Sequence, residues 1–523
     1  MRIRIDKIEL PLDYSPVQLL KAVTKKVRCN KSDLHNVHAV RRFIDARDGS
    51  PQMIVIAEAD LSVKLRNGLC DVSKVKPLTQ WSKVVLKDFS GLRPVVVGAG
   101  PAGLMAAFEL AEAGMQPILI ERGEETAQRA KRVTSFWQDG TFDCESNVLY
   151  GEGGAGLFSD GKLASRSKDR PRVRRFFEVL VKCGASREIL VDAEPHIGSD
   201  VLQELLPAWR NKIIELGGEV RFGARLDRVE IKDGAVRGVV VSGEAIRTDC
   251  CVLATGHSAR DVYKMLDEQG VPLEPKPFAV GFRLEIPQHR IDTAQWGGSC
   301  PAIGKASFRL TRRAEENIRS CYTFCMCPAG LVISCASSEG LISTNGMSLS
   351  QRDKFCGNAA FLVPVYPTDF PKFKKPALAG IEFQRRMESA AFEAGGSDYS
   401  LPAQRLVDFF EGSSTSELPE ERSCGRALAA NLRGLLPEVV EQTLLSAIPN
   451  MLGGMPGVLL DEALLYASET RSSSPVRVIR GDDGQSAVRG LYPCGEGSGY
   501  TGGIVSSGVD GLRQAEQIVA SLR

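Results

Sequence analysis

VVVGAGPAGLMAAFELAEAGMQPILIERG, Val95 to Gly123, is the stretch that decides the fold of this chain. Val95 to Val97 is a short run of β-branched residues, as a buried parallel strand requires. Gly98, Gly100 and Gly103 follow at once, and Leu104 to Ala113 reads as a small-residue helix. Gln116 to Ile120 returns as a strand, which Glu121 closes. Each glycine has a physical reason. The first permits a tight turn, the second lets backbone approach a pyrophosphate, and the third lets the helix pack on the strand. The helix N-terminus then presents unpaired N–H groups and a partial positive charge to the phosphates. An acid at Glu121 can accept hydrogen bonds from ribose hydroxyls and would repel a 2′-phosphate. Strand, turn, helix, strand and acid in this order predict a dinucleotide site, without choosing the dinucleotide.

Three further segments make that choice. LYGEGGAGLFSDGKLASR, Leu149 to Arg166, concentrates glycines that suit backbone laid against a ligand, with Ser159, Asp160 and Lys162 able to donate or accept near a ring. VLATGHSARD places Thr255 and Gly256 on a small-residue turn at the carboxyl edge of a parallel strand, where ligands sit. LYPCGEGSGYTGGIVSSGVDGLRQAEQI runs a strand into Gly495 and Glu496, then opens a helix at Ile504. An acid and a helix N-terminus so far from the fingerprint form a second clamp, as a long cofactor such as FAD needs.

On either side of these segments the pattern changes. IRIDKIEL reads as a strand, SPVQLLKAVTKKV as a helix capped by Ser15 with Pro16 at its first position, and VHAVRRFIDAR and PQMIVIAEADLSVKL as strands. They form a small α+β module over residues 1–90, with Lys87 to Arg93 as linker. Leu202 to Leu216 is expected to be a helix that Gly217 and Gly218 end, followed by a hairpin turning at Asp233-Gly234. Residues 91–265 and 481–523 are assigned to the nucleotide domain. Residues 266–480 form a mixed substrate domain, with strands at PFAVGFRLEI, YTFCMCP, LVISCASS and LISTNGMS and helices at Pro402 to Phe410 and Gly425 to Leu432.

Composition removes several functions. With 66 basic and 64 acidic residues there is no global field for nucleic acid or an anionic membrane. RPRVRR, Arg170 to Arg175, is the strongest local patch and reads as a solvated helix start. No run of apolar residues is long enough for a membrane helix. The opening segment has neither a secretory h-region nor the character of a transit peptide. A cytoplasmic chain is expected, or a mature form whose targeting segment is absent. The fourteen cysteines lack any compact repeated spacing, which suits free thiols in a reducing compartment. In CYTFCMCPAGLVISC, a C-x-C on a strand would point both thiols one way. Without a second ligand pair at zinc spacing, and with only five histidines, the segment is read as buried small hydrophobes and no metal site is expected.

The segments together resemble the glutathione-reductase-type FAD-binding fold. More closely, the chain resembles a bacterial, largely uncharacterised FAD-dependent dehydrogenase (NAD(P)/FAD-dependent oxidoreductase) family. The shared motifs are GEGGAG-x-FSDGKL at Gly151 to Leu163, FCMCP-x-G at Phe324 to Gly330, NGMS at Asn345 to Ser348 and GEG-x-GY-x-GGI-x-S at Gly495 to Ser506. The resemblance implies an α/β protein: a Rossmann-like FAD-binding domain, a mixed α+β substrate domain and a small N-terminal α+β module. It implies a redox enzyme with bound FAD, acting on a small molecule that it does not identify. Gly98, Gly100, Ala102 and Gly103 would hold the pyrophosphate, with Glu121 on the ribose and Arg122 beside it. Leu226 would offer backbone to adenine, and Thr255 and Gly256 would line the pyrophosphate side. Ser159, Gly161, Lys162 and Leu163 would lie near the ribityl or ring. Gly495, Glu496, Gly503 and Ile504 would clamp the far end. The broader fold usually has Asp where Glu496 stands.

Proton handling falls to three candidates in flavin-facing loops: His257, Lys162 and Tyr500. Arg283 would either bind an anionic group or pair with a neighbouring acid. No second Gly-x-Gly-x-x-Gly with its own strand and helix is read, and no Cys-x4-Cys pair follows the fingerprint, which argues against a disulfide reductase, while NAD(P)H remains open as a transient electron donor. The rival reading is a flavoprotein that modifies RNA or docks a protein partner through the N-terminal module and RPRVRR. Oligomeric state is not indicated.

Overall fold

The computed structural model describes residues 1–46, 51–65, 68–75, 85–86, 89–164, 167–298, 303–316 and 318–522. Lys87 and Asp88 of the expected linker, Arg47 at the end of an expected strand, and Ser165 and Arg166 of the glycine-rich segment lie outside the described residues.

The N-terminal stretch contains β1 (Arg2–Leu10), α1 (Pro16–Val27), β2 (Leu34–Asp45), β3 (Gln52–Leu61) and β4 (Val72–Lys74). The strands form one sheet in the order β2-β3-β1-β4. Ser15 caps α1 in a reciprocal capping box with Gln18, behind Pro16 in the first turn. Leu19, Val23 and Val27, on one helical stripe, share a core with Ile3, Ile5 and Ile8 of the sheet. The sheet meets the rest of the chain through β2: Arg42 N–H donates to the Val191 carbonyl at 2.9 Å, and its Nε to Asp192 at 2.5 Å.

Next come β5 (Val95–Val97), α2 (Pro101–Glu112), β6 (Ile118–Ile120), α3 (Thr126–Asp139), α4 (Arg170–Lys182), α5 (Ser199–Glu215), β7 (Glu219–Arg221), β8 (Leu226–Lys232), β9 (Ala235–Val241), β10 (Glu244–Arg247), β11 (Cys251–Leu253) and α6 (Arg260–Glu268). The basic run opens α4 with Asp169 as cap. Its charges are spent within the fold, Arg172 on Asp169 and Glu516, and Arg175 on Glu109 and Glu112.

The chain then passes through β12 (Leu273–Pro275), β13 (Phe278–Pro287), α7 (Gln288–Trp296), β14 (Thr311–Arg312), β15 (Cys321–Cys327), β16 (Leu331–Cys335), β17 (Ser343–Met347), β18 (Cys356–Val365), α8 (Ala379–Ala394), β19 (Leu401–Arg405), α9 (Leu406–Glu411), β20 (Ala427–Ala429), α10 (Glu438–Leu452), β21 (Leu464–Glu469) and β22 (Val476–Val478). A seven-stranded sheet, β14-β15-β18-β13-β21-β19-β20, carries this region, with Phe282, Phe361 and Phe409 in its core. Two expected helices are corrected here. Pro402 to Arg405 belongs to β19, which is hydrogen-bonded on both sides, and the helix begins only at Leu406. The alanine-rich segment after Gly425 supplies the parallel edge strand β20, so pairing with β19 overrides its helical propensity.

β23 (Leu491–Pro493) and α11 (Ile504–Ser521) complete the nucleotide region. Its parallel sheet has the order β23-β11-β5-β6-β7. The carboxyl ends of the adjacent strands β5, β11 and β23 therefore deliver Gly98, the Ala254–Gly256 turn and Gly495–Glu496 to one edge. α11 packs on α2 through small residues: a Cβ on Gly511 would stand 2.1 Å from the Ala102 carbonyl oxygen. Tight packing of that kind is what brings both helix N-termini to the same place. Among the described residues no helix is long and apolar enough to cross a membrane.

Candidate functional site

A cleft of about 1750 Å³ opens along that edge and continues between the parallel sheet and the seven-stranded sheet. It exceeds the roughly 300–1,000 Å³ of a drug-sized pocket, leaving room for a long cofactor and a second molecule.

One end is built from backbone. A Cβ on Gly103 would stand 1.8 Å from the Gly98 carbonyl oxygen, so α2 can lie this close to the turn only because residue 103 has no side chain. A Cβ on Gly100 would meet only the Cα of Gly154, at 3.9 Å, and would point into open cleft. Bare backbone N–H groups at the start of α2 face the cleft, a setting that favours an anion, and a second helix start, at Gly503 and Ile504, borders the same cleft. Leu226, Thr255, Gly256 and Ala102 line the wall. The surrounding loop is held by Arg129, which is fully buried. Its guanidinium donates to the carbonyls of Asn147, Val148 and Glu152 at 2.9, 2.9 and 2.6 Å.

Glu121 has a second task besides facing the cleft. Its carboxylate accepts from the N–H groups of Ala99, Gly123 and Gly151 at 2.8, 3.0 and 3.0 Å, which ties the fingerprint turn to the glycine-rich loop. Arg122 is fixed by Glu145 and Asp261 and lies over the Tyr150 ring, 4.5 Å from its centroid. Three expected contact residues lie behind the cleft wall. Leu163 is buried in the core around the parallel sheet, Gly103 is spent on helix–strand packing, and a Cβ on Gly495 would stand 2.7 Å from that of Ala102.

The other end is built from side chains. Ser159, Gly161 and Lys162 line it, Lys162 lying 3.6 Å from Asp160, which also accepts from Arg352 at 2.9 Å. His196 stands 3.8 Å from Asp160, and burial, reinforced by Arg352, lowers its pKa to about 4. Glu496 receives the Gly503 N–H, and burial pushes its carboxyl up to about 7, against the pull of that hydrogen bond and of Lys276. His257 lies on the wall, where burial, then Arg471 and Arg260, lower its pKa to about 3, so the imidazole stays neutral at physiological pH. Tyr500 is stacked between Arg480 and Arg477, its hydroxyl accepting from the Arg480 N–H at 3.2 Å.

Arg283 takes the second of its two expected roles. It is 0% exposed, paired with Glu469 through two hydrogen bonds of 2.9 and 2.8 Å, and donates to Asn358 at 2.8 Å. Nearby, the fully buried Glu388 is shared by Arg260 and Arg471; burial works to raise its pKa, but the two guanidinium groups hold it down to about 2. Sequence reading missed Lys276, Arg309, Arg313, Cys325 and Arg352 as cleft residues. Only the FCMCP and NGMS motifs signalled that their segments had a role. Cys321, Cys327 and Cys335 are buried as expected, while Cys325 is only partly buried; Cys321, Cys325 and Cys335 all border the cleft. The strands flanking the Pro-Ala-Gly turn belong to different sheets. Among the described residues no cluster of histidine, cysteine and acidic side chains could hold a metal.

Residues 93–148 match the FAD binding domain family, and residues 277–472 match the family described as FAD-dependent protein, C-terminal domain-like. An uncharacterised protein of Clostridium beijerinckii is 39% identical over 99% of this chain and 99% of its own length. Protein FixC of Escherichia coli is 28% identical over 38% of this chain and 44% of its own length. The crystal structure of L-proline dehydrogenase from P. horikoshii aligns with 82% of this chain and 94% of its own, at 13% identity and a TM-score of 0.36.

Proposed function

Because the chain belongs to a largely uncharacterised family of FAD-dependent oxidoreductases, we propose that it transfers hydride between FAD and an anionic small molecule held by the seven-stranded sheet. The observation that carries this reading is the single continuous cleft, glycine-lined at one end and rich in fixed charges at the other. FAD supplies the hydride-accepting or hydride-donating ring. Gly98, Gly100 and Ala102 with the start of α2 would hold its pyrophosphate, Glu121 and Leu226 its adenosine end, and Ser159, Gly161, Lys162, Glu496, Gly503 and Ile504 its ribityl and ring end.

Everything else is supplied by side chains of this chain. Arg309 and Arg313 line the substrate side of the cleft and make no ion pair or side-chain hydrogen bond among the described residues. Two unpaired guanidinium groups favour a carboxylate or phosphate on the substrate. Glu496, with its pKa near 7, is suited to take up and release a proton at the ring end at neutral pH. Lys162 would then orient the substrate or ring, and the neutral His257 would act as a hydrogen-bonding wall. Fourteen cysteines without compact repeated spacing support a reducing, cytoplasmic compartment. The test is to purify the chain, measure bound flavin by absorbance, and follow anaerobic bleaching with NADH, NADPH and a panel of small hydroxy and amino acids. A yellow protein bleached by an anionic donor is expected; a colourless chain that takes up no added FAD contradicts the proposal.

A further inference from the structure

Cys325 and Cys327 are placed unlike any other cysteine pair among the described residues. On a flat strand, residues two apart have their Cα atoms about 6.6 Å apart, near the upper limit for a disulfide. β15 is not flat there. Phe324 pairs with Ala360 and Cys327 with Asn358, so Cys325 and Met326 together face one residue of β18. Cys325 has φ of 45° at this bulge, where the strand bends and twists out of the flat geometry. Cys327 Sγ donates to the Cys325 carbonyl at 3.3 Å, which folds the Cys327 side chain back toward Cys325. Cys325 stands on the cleft wall, near enough to Lys162, Asp160 and Glu496 to interact electrostatically with each. Arg283 donates to the Cys325 carbonyl at 3.3 Å and brings a buried positive charge beside both sulfurs.

Cys321 and Cys335 also border the cleft, but burial is the chief cause that pushes their thiols up to about 12. The Cys325 thiol is instead drawn below its ordinary range, first by the Cys327 hydrogen bond and then, against burial, by Arg283 and Lys162. Thiolate character and access to the cleft are what thiol–disulfide chemistry requires.

We propose that Cys325 and Cys327 form a redox-active dithiol/disulfide couple that exchanges two electrons with the flavin, a proposal that rests on FAD lying in the cleft. In the reductive direction, reduced anionic flavin gives up two electrons and one proton and becomes oxidised flavin. The Sγ–Sγ bond breaks, Cys325 leaves as the thiolate, and Cys327 takes the proton. Running the other way, the Sγ–Sγ bond forms and oxidised flavin is the oxidant. The couple would let the enzyme store the electrons of one substrate turnover or pass them to a second thiol or disulfide substrate.

The test uses the FAD-loaded full chain. One sample is air-oxidised and another photoreduced anaerobically; both are denatured in alkylating agent and mapped by mass spectrometry. The segment carrying Cys325 and Cys327 should be unalkylated there and lighter by the two thiol hydrogens after oxidation, and doubly alkylated after reduction. Anaerobic dithionite titration should consume about four electrons per flavin in the wild type and about two in Cys325→Ser, with Cys144→Ser, an exposed control, matching the wild type. If Cys325→Ser fails to retain FAD, Cys327→Ala and the wild-type mass map decide the matter. Full alkylation of both residues in the oxidised holoprotein, with about two electrons taken up by the wild type, would overturn the couple and leave the oxidoreductase reading intact. A chain that binds no FAD overturns that reading instead.

Discussion

The two ends of the cleft achieve binding by opposite means. At the fingerprint end the ligand would meet backbone: glycines and the start of α2, beside a loop that the buried Arg129 holds in place. At the far end it would meet side chains, Lys162, Lys276, Cys325 and Glu496, drawn from four separate parts of the chain. Backbone geometry is set by local spacing and tolerates almost no added atom. Side-chain chemistry is set by which strands lie side by side, and substitution there should alter titration and electron transfer before it alters folding.

The largest effect should separate two glycines three residues apart. Gly103→Ala places a methyl 1.8 Å from a carbonyl oxygen in the strand–helix turn. It should cost more than the usual overpacking penalty of about 1–3 kcal/mol and abolish recovery of folded holoprotein, as read by circular dichroism and bound flavin. The buried Glu388 comes next. Glu388→Gln leaves two buried guanidinium groups without a counter-charge and should cost about 3–5 kcal/mol in denaturant unfolding. Its carboxylate is held at about 2, below an ordinary value of 4.5, so this stabilisation is complete above pH 4.5 and lost as pH falls toward 2. The variant should have a shallower loss of stability across that window.

Gly100→Ala should behave differently from its neighbour. The methyl has room in the free protein but occupies the phosphate cradle. The melting temperature of the FAD-free chain should be unchanged, while FAD affinity measured by flavin quenching should fall about tenfold or more, a loss of at least about 1.4 kcal/mol. Equal damage to the apoprotein would erase the distinction between packing glycine and cradle glycine. The smallest effect belongs to the far end. Glu496 has its pKa raised from 4.5 to about 7, so the folded apoprotein binds the extra proton between those values and loses stability as pH rises through them. Glu496→Gln should flatten that segment and remove any inflection near pH 7 in the reduction of whatever flavin the variant retains.

How much of this was legible in the sequence follows the same division. Gly98 to Gly103 could be read directly, because turn, helix start and close packing are properties of a few consecutive residues. The capping of α1 and the Asp233-Gly234 hairpin were legible for the same reason. The strand Ala427–Ala429 was not: alanine favours helix locally, and only pairing with Leu401–Arg405 makes it a strand. Leu163 and Gly495 stood in the right motifs, but Leu163 turns into the core through packing with later helices, and Gly495 meets Ala102, nearly four hundred residues away. The same holds for Cys325: its motif could be seen in the sequence, while the bulge that turns it to the cleft exists only against β18.

The position of the isoalloxazine ring in crystals of the FAD-loaded chain tests the whole account most directly. The ring should lie among Lys162, Cys325 and Glu496, with the pyrophosphate over Gly100 and the adenine beside Leu226. A ring seated at the Gly98 end, or a cofactor bound outside this cleft, would contradict it.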